Sequence, residues 1–241
     1  MMCGSGVEQM KNKVKHDEIL HFNMAIIGGI LGAYAILNWF DVLGSAQTSN
    51  MIHLMIDIVG GNAHGIIIRL GSVVLYMIGL ISTVLMKNYT NINVHIYSVI
   101  VDAITIIIVG IMPKDIDVII ALYPIFFAMA VQWNSFPGVH GYNSSTIFST
   151  NNLKQTTISL TEYICNKDKD KLHKAKFYSR VLLSFHVGVA IEFVCNNVFG
   201  IKGVWIGIVP TITAFGLALV EKENISDRIL KREEASIKKI V

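Results

Sequence analysis

Charge is scarce in this chain: only 15% of its side chains are Asp, Glu, Lys or Arg. A soluble domain carries about 25%, so much of this molecule's exterior faces something less polar than water. Proline is rarer still, at four residues, and glycine follows no short period, which excludes collagen-like and proline-rich chains. With 53% hydrophobic side chains over 241 residues, the chain is too apolar to stay unfolded in water. These figures leave the lipid bilayer as the surrounding medium.

Cysteine is also sparse. Cys3, Cys165 and Cys195 are odd in number and form no CxxC pair, so neither a disulfide framework nor a cysteine-based zinc site is expected. Cys3 does not follow the apolar stretch that lipoprotein processing requires, and the basic N-terminus runs into an apolar segment too long for a cleavable signal. His53, His64, His140 and His186 stand at no metal-ligand spacing, and no metal or cofactor is expected. A Gly-rich phosphate loop, HExxH and GxSxG are all missing. The expectation is therefore a protein that is not an enzyme. An intramembrane hydrolase, with Ser or Thr beside a histidine brought close by the fold, is kept as a third reading.

What the chain does have is long apolar runs. A spanning helix needs roughly 20 mostly apolar residues, and six stretches meet or approach that: 19–40, 65–86, 94–112, 116–133, 178–198 and 202–220. Breaks at Pro113-Lys114-Asp115 and Asn197-Val198-Phe199-Gly200 make tight hairpins of the pairs around them. Segments 45–59 and 146–166 are too short or too polar to span, and read as re-entrant or interfacial helices. Of 20 Lys and Arg, 16 lie in three blocks, at 11–15, 154–180 and 222–239. Each block adjoins an apolar run, so membrane topology explains them better than nucleic-acid binding. With six crossings and an inside N-terminus, 17 basic residues fall inside, while Arg69, Lys114 and Lys202 fall outside. Both termini are then cytoplasmic. Segment 156–176, amphipathic and then basic, is expected either to lie along the cytoplasmic leaflet or to be a solvated connector.

An internal repeat follows. Gln47-Thr48-Ser49-Asn50-Met51 matches Ser149-Thr150-Asn151-Asn152-Leu153. Each motif follows an apolar span with an amide near its end, Asn38 in one case and Gln132 with Asn134 in the other. Each precedes a short helix and then a span that starts near an arginine, Arg69 or Arg180. Three crossings per unit is an odd number, so the second unit lies upside down relative to the first, as in many secondary transporters. The expected architecture is an all-α integral membrane protein of two inverted three-helix repeats, 19–112 and 113–220. Charged cytoplasmic tails at 1–18 and 221–241 flank them.

Gly32-Ala33-Tyr34-Ala35, Ala46-Gln47-Thr48-Ser49-Asn50-Met51, Ala128-Met129-Ala130-Val131-Gln132-Trp133-Asn134 and Thr150-Asn151-Asn152-Leu153 together give the chain a family likeness. It resembles the YoaK, or DUF1275, family of small bacterial multi-pass membrane proteins, whose halves each carry a Thr-Gly-Asn-Leu-like motif. The resemblance runs from Ile26 to Val220 and departs at Ser49 and Asn151, where the family usually has glycine. It implies an integral membrane protein and specifies no substrate; the expected location is the bacterial cytoplasmic membrane.

The candidate site residues come from the duplicated motif and from charges within spans. Asn38, Gln47, Thr48, Ser49, Asn50, Gln132, Asn134, Thr150, Asn151 and Asn152 are expected to bind substrate. Chain that turns within a bilayer must be buried in protein or line a wet cavity, and the start of a short helix carries partial positive charge able to hold an anion. The competing reading is helix capping and inter-helix hydrogen bonding alone. Asp102 and Glu192, deep inside spans, are expected to carry protons or an ion, or else to lock helices together. Asp41, Asp57 and Arg69 lie nearer the outer face, and Arg69 reads as a snorkelling side chain. The leading function is a secondary transporter or permease for a small polar or anionic solute, in a possible oligomer. The alternative is a non-transporting membrane scaffold or subunit that binds a lipid or a protein partner.

Overall fold

A computed structural model describes residues 3–39, 47–113 and 115–221. Asp41, Lys114, the first residues of the 45–59 segment and the basic tail beyond Glu221 lie outside the described residues. Among the described residues the regular structure is helical apart from one short hairpin, and three helical runs are long and apolar enough to cross a membrane, Asn12–Asn38, Ala63–Tyr89 and Lys169–Glu221.

Helix α1 (Cys3–Asn38) is the central post. Met24, Ile27, Ile30, Leu31 and Tyr34 are wholly buried on it, as expected of a helix that is apolar around most of its circumference. Helix α1 begins at Cys3, so the basic stretch at 11–15 is already helical. After α2 (Gln47–Gly60), the chain turns at Gly61 and enters α3 (Ala63–Tyr89), capped by the Asn62 side chain on the Gly65 N–H. On α3, Ile67, Leu70, Val74, Met77, Ile78 and Ile81 form a continuous exposed apolar face. A band of this kind marks a membrane protein.

Helix α4 (Val94–Val109) is apolar but only 16 residues long. The fourth expected span is interrupted: a single turn, α5 (Val118–Ala121), is followed by α6 (Tyr123–Ser135). Pro124 in the first turn of α6 has no N–H to continue a ladder from α5, which is why the break falls there. Strands β1 (Gly138–Val139) and β2 (Tyr142–Asn143) form a hairpin absent from the sequence reading. Residues 144–149 then run without regular structure to α7 (Thr150–Asn166).

The 156–176 segment is helical on both sides of a tight turn rather than a loose connector. Lys167 turns the chain in the left-handed region (φ 56°), Asp168 caps the Asp170 N–H, and α8 (Lys169–Phe199) starts at once. The run to Glu221 is not one rod. At Gly200 (φ 60°) it passes into a 3-10 segment, η1 (Gly200–Gly207), whose Gly203 lies so close to Cys195 and Asn196 that a Cβ would collide with their backbone. The helix at 208–221 then runs antiparallel to α4: Trp205 meets Gly110 and Ile107, and Glu221 meets His95.

Two long pairs are parallel. Along α1 and α8, His21 faces Phe177, Gly29 faces Phe185 and Asn38 faces Asn196. Along α3 and α6, Ile68 meets Tyr123, Gly79 meets Phe127 and Thr83 meets Asn134. The first pair touches backbone to backbone, because a Cβ at Gly29 would run into the Phe185 carbonyl and one at Gly188 into the Ile26 carbonyl. Gly188→Leu is expected to destabilise the protein by about 1–3 kcal/mol through overpacking. Gly216→Leu, where an added Cβ meets nothing within 4 Å, is expected to leave the thermal unfolding of the detergent-solubilised protein unchanged.

Candidate functional site

The two motifs each fall at the start of a short helix, Thr48 to Asn50 in α2 and Thr150 to Asn152 in α7. Ser49 and Asn151 are both helical, and the only described non-glycine residues with positive φ are His140 and Lys167. A left-handed turn at these two positions is therefore not what the motif provides.

The second motif is anchored by what precedes it. Segment 144–149 passes against the glycine of α1 midway along its apolar stretch, since a Cβ at Gly28 would strike the Thr146 carbonyl. Gln132, fully buried on α6, holds that crossing: its Nε2 donates to the Met24 carbonyl (2.8 Å) and to Thr146 Oγ1 (2.9 Å). Asn152, also fully buried, closes the loop. Its Nδ2 donates to the Ser145 carbonyl (2.7 Å) and the Phe148 carbonyl (3.1 Å), and its Oδ1 accepts from the Ser145 N–H (3.3 Å). The amide is thus saturated by its own chain, the capping reading rather than ligand contact. Asn151 is exposed and donates to the Asn143 carbonyl.

The helix start itself is open. Ser149 occupies the N-cap position of α7 without a side-chain capping bond, which leaves the first N–H groups of the helix free to face a ligand. Ser149 and Thr150 line a cavity of about 560 Å³ with Gly32 and Leu37 of α1 and His186 and Phe193 of α8. Its remaining walls are almost wholly apolar. In the first half, Thr48 borders an open apolar groove along α2, and Asn50 is buried with its Nδ2 unpartnered among the described residues. Gln47 is partly buried, also without a partner there.

The other amides join helices. Asn38 Nδ2 donates to the Tyr34 carbonyl and to Asn196 Oδ1 (both 3.0 Å), which ties α1 to α8. Asn134 Nδ2 donates to Thr83 Oγ1, tying α6 to α3. Asp102 and Glu192 are fully buried, and neither carboxyl has a hydrogen-bond partner among the described residues. A carboxyl buried without a partner is costly to keep charged.

Arg69 does not snorkel freely. Its Nε donates to Asp57 Oδ2 at 2.8 Å. Hydrogen bonds from Asn62 and then Arg69 outweigh the desolvation that acts on Asp57 and hold its carboxyl below the usual carboxylate range. The α2–α3 turn is therefore held at neutral pH and loosens only as pH falls through that depressed value. At the opposite end, a polar cavity of about 240 Å³ gathers Asp17, His21, His95, His140 and Glu221. His95 Nδ1 lies 2.6 Å from Glu221 Oε2, and His21 Nε2 lies 2.7 Å from Ser144 Oγ. Sequence reasoning missed this cluster, because its members are far apart in the chain. The one available signal was a histidine, His21, at the start of an apolar run.

A family model described as "Protein of unknown function (DUF1275)" matches residues 20–217. The chain belongs to the DUF1275 family. That match runs from the apolar part of α1 into the helix at 208–221, so motifs, loop and cavity all lie within the DUF1275 region. No curated protein and no solved structure matches the chain.

Proposed function

We propose that this DUF1275 protein is a secondary transporter or permease with six crossings in two inverted halves, and that it moves a small organic anion. The observation that carries the reading is the uncapped start of α7, which opens on a cavity from a loop held at mid-depth of α1. A positive helix end at one side and apolar walls at the other suit a carboxylate with an apolar body better than an inorganic ion.

The inverted arrangement is supported by the packing. The first helix of each half pairs in parallel with the second helix of the other, α1 with α8 and α6 with α3. Each pair is tied by an amide near the end of its first helix, Asn38 at one end of the molecule and Asn134 at the other. Likewise α2 packs on α3 as α7 packs on α8. In this scheme α2 and α7 are re-entrant from opposite faces, Asp102 and Glu192 couple protons, and Gln132 and Asn152 position the loop that presents Ser149 and Thr150. Thr48, Ser49, Asn50 and Gln47 play the matching part in the first half. The end that bears the 167–176 lysines is cytoplasmic.

The apolar cavity wall favours one other reading, a non-transporting subunit that holds a lipid there. Uptake by proteoliposomes of a panel of labelled short-chain carboxylates under an inward proton gradient separates the two. Transport predicts accumulation above protein-free liposomes for at least one acid. A flat panel, with lipid retained by the purified protein, would favour the lipid-holding subunit.

A further inference from the structure

At the end of the molecule that carries the polar cavity, three residues from three elements converge, one of which, His140, also lines that cavity. His140 sits at the tip of the β1–β2 hairpin, Glu18 on α1 and His173 near the start of α8. Their potential ligand atoms all lie within 4.8 Å of one another. His140 Nε2 is 2.7 Å from Glu18 Oε1, and the His140 and His173 rings meet edge to face with centroids 5.0 Å apart. We infer that Glu18, His140 and His173 form a binding site for one divalent transition-metal ion, with Zn²⁺ as the best-fitting occupant.

The chemistry of the donor set supports this. Two imidazoles and one carboxylate are borderline ligands, matched to Zn²⁺ and its neighbours rather than to Mg²⁺ or Ca²⁺, which favour oxygen throughout. Zinc–nitrogen and zinc–oxygen bonds of about 2.0–2.2 Å place neighbouring ligand atoms roughly 3.3 Å apart in a tetrahedron. The His140–Glu18 distance of 2.7 Å and the 4.8 Å limit on all three pairs bracket that spacing. Both histidines are exposed at the residue level and Glu18 is partly so, so an ion reaches them from solvent and water completes the fourth position.

The hairpin is built to hold His140 in place. His140 adopts a left-handed backbone (φ 59°) between Val139 and Gly141 (φ 74°), and its ring packs edge to face on Phe177 and against Tyr142. This pre-orients one ligand before the ion arrives. Spacing along the chain gave no sign of the site, because hairpin, α1 and α8 meet only in the fold. An ion here would clip α1, the hairpin and α8 together at one end of the parallel α1/α8 pair. The inference does not rest on the transport reading.

The test is Zn²⁺ competition against a chromophoric chelator, on full-length, tag-free protein in detergent, with thermal unfolding followed in parallel. The expected result is one Zn²⁺ per chain and a rise in unfolding temperature. His173→Ala, His140→Ala and Glu18→Gln should each weaken binding by at least about tenfold and remove the rise. His173 and Glu18 lie outside the hydrophobic core, so their variants keep the test valid if His140→Ala misfolds. His64→Ala, at the opposite end beside Asp117, should bind as the parent does. Zn²⁺ binding and stabilisation that persist in both His173→Ala and Glu18→Gln, or the absence of any binding by the parent, would overturn the assignment.

Discussion

Asn152→Ala is expected to lower the unfolding temperature of the detergent-solubilised protein by on the order of 10 °C and to reduce its accumulation in the membrane. The side chain is fully buried and satisfies two carbonyls and one N–H of the loop it closes. Each polar group left bare in such a place costs about 1–3 kcal/mol. At about 2–4 °C per kcal/mol for a chain of this size, three partial losses give the expected shift. Asn151→Ala removes one exposed bond to the Asn143 carbonyl and should shift unfolding by no more than about 2 °C. Differential scanning fluorimetry on the two variants side by side checks the contrast. Equal, small shifts would mean that the loop does not depend on Asn152.

Glu192→Gln and Asp102→Asn should do the opposite, leaving the fold intact while removing proton-coupled flux. Neither carboxyl has a hydrogen-bond partner to lose among the described residues, and the amides match them in volume, so packing is conserved. What disappears is a group that can bind and release a proton within the bilayer. Flux driven by a proton gradient in proteoliposomes should fall to the level of protein-free liposomes in at least one variant, with unfolding temperature unchanged. Wild-type flux in both would remove the carboxylates from the mechanism.

Much of this architecture is legible in the chain because apolar periodicity and length report burial in lipid directly. Helix α3, expected at 65–86, spans Ala63–Tyr89, and the two short segments form α2 and α7 as separate helices. The errors have local causes. Pro124 breaks the fourth apolar stretch, which hydropathy averages over. The hairpin at Gly138 to Asn143 is too short to leave an alternating pattern, and only Pro137-Gly138 and His140-Gly141 hint at it. The site was legible in composition but not in role. Residue type alone does not tell an amide that bonds its own loop, such as Asn152, from one that faces a ligand. His140 and His173 find each other only once α1, the hairpin and α8 are assembled.

The central claim is that the two halves enter the bilayer from opposite faces, and side-specific thiol labelling tests it most directly. With Cys3, Cys165 and Cys195 replaced by serine, single cysteines at His64, just after α2, and at Lys169, just after α7, are exposed to an impermeant maleimide in intact cells and in inside-out vesicles. The account predicts that His64→Cys is modified only in intact cells and Lys169→Cys only in inside-out vesicles. Modification of both from the same face would contradict it.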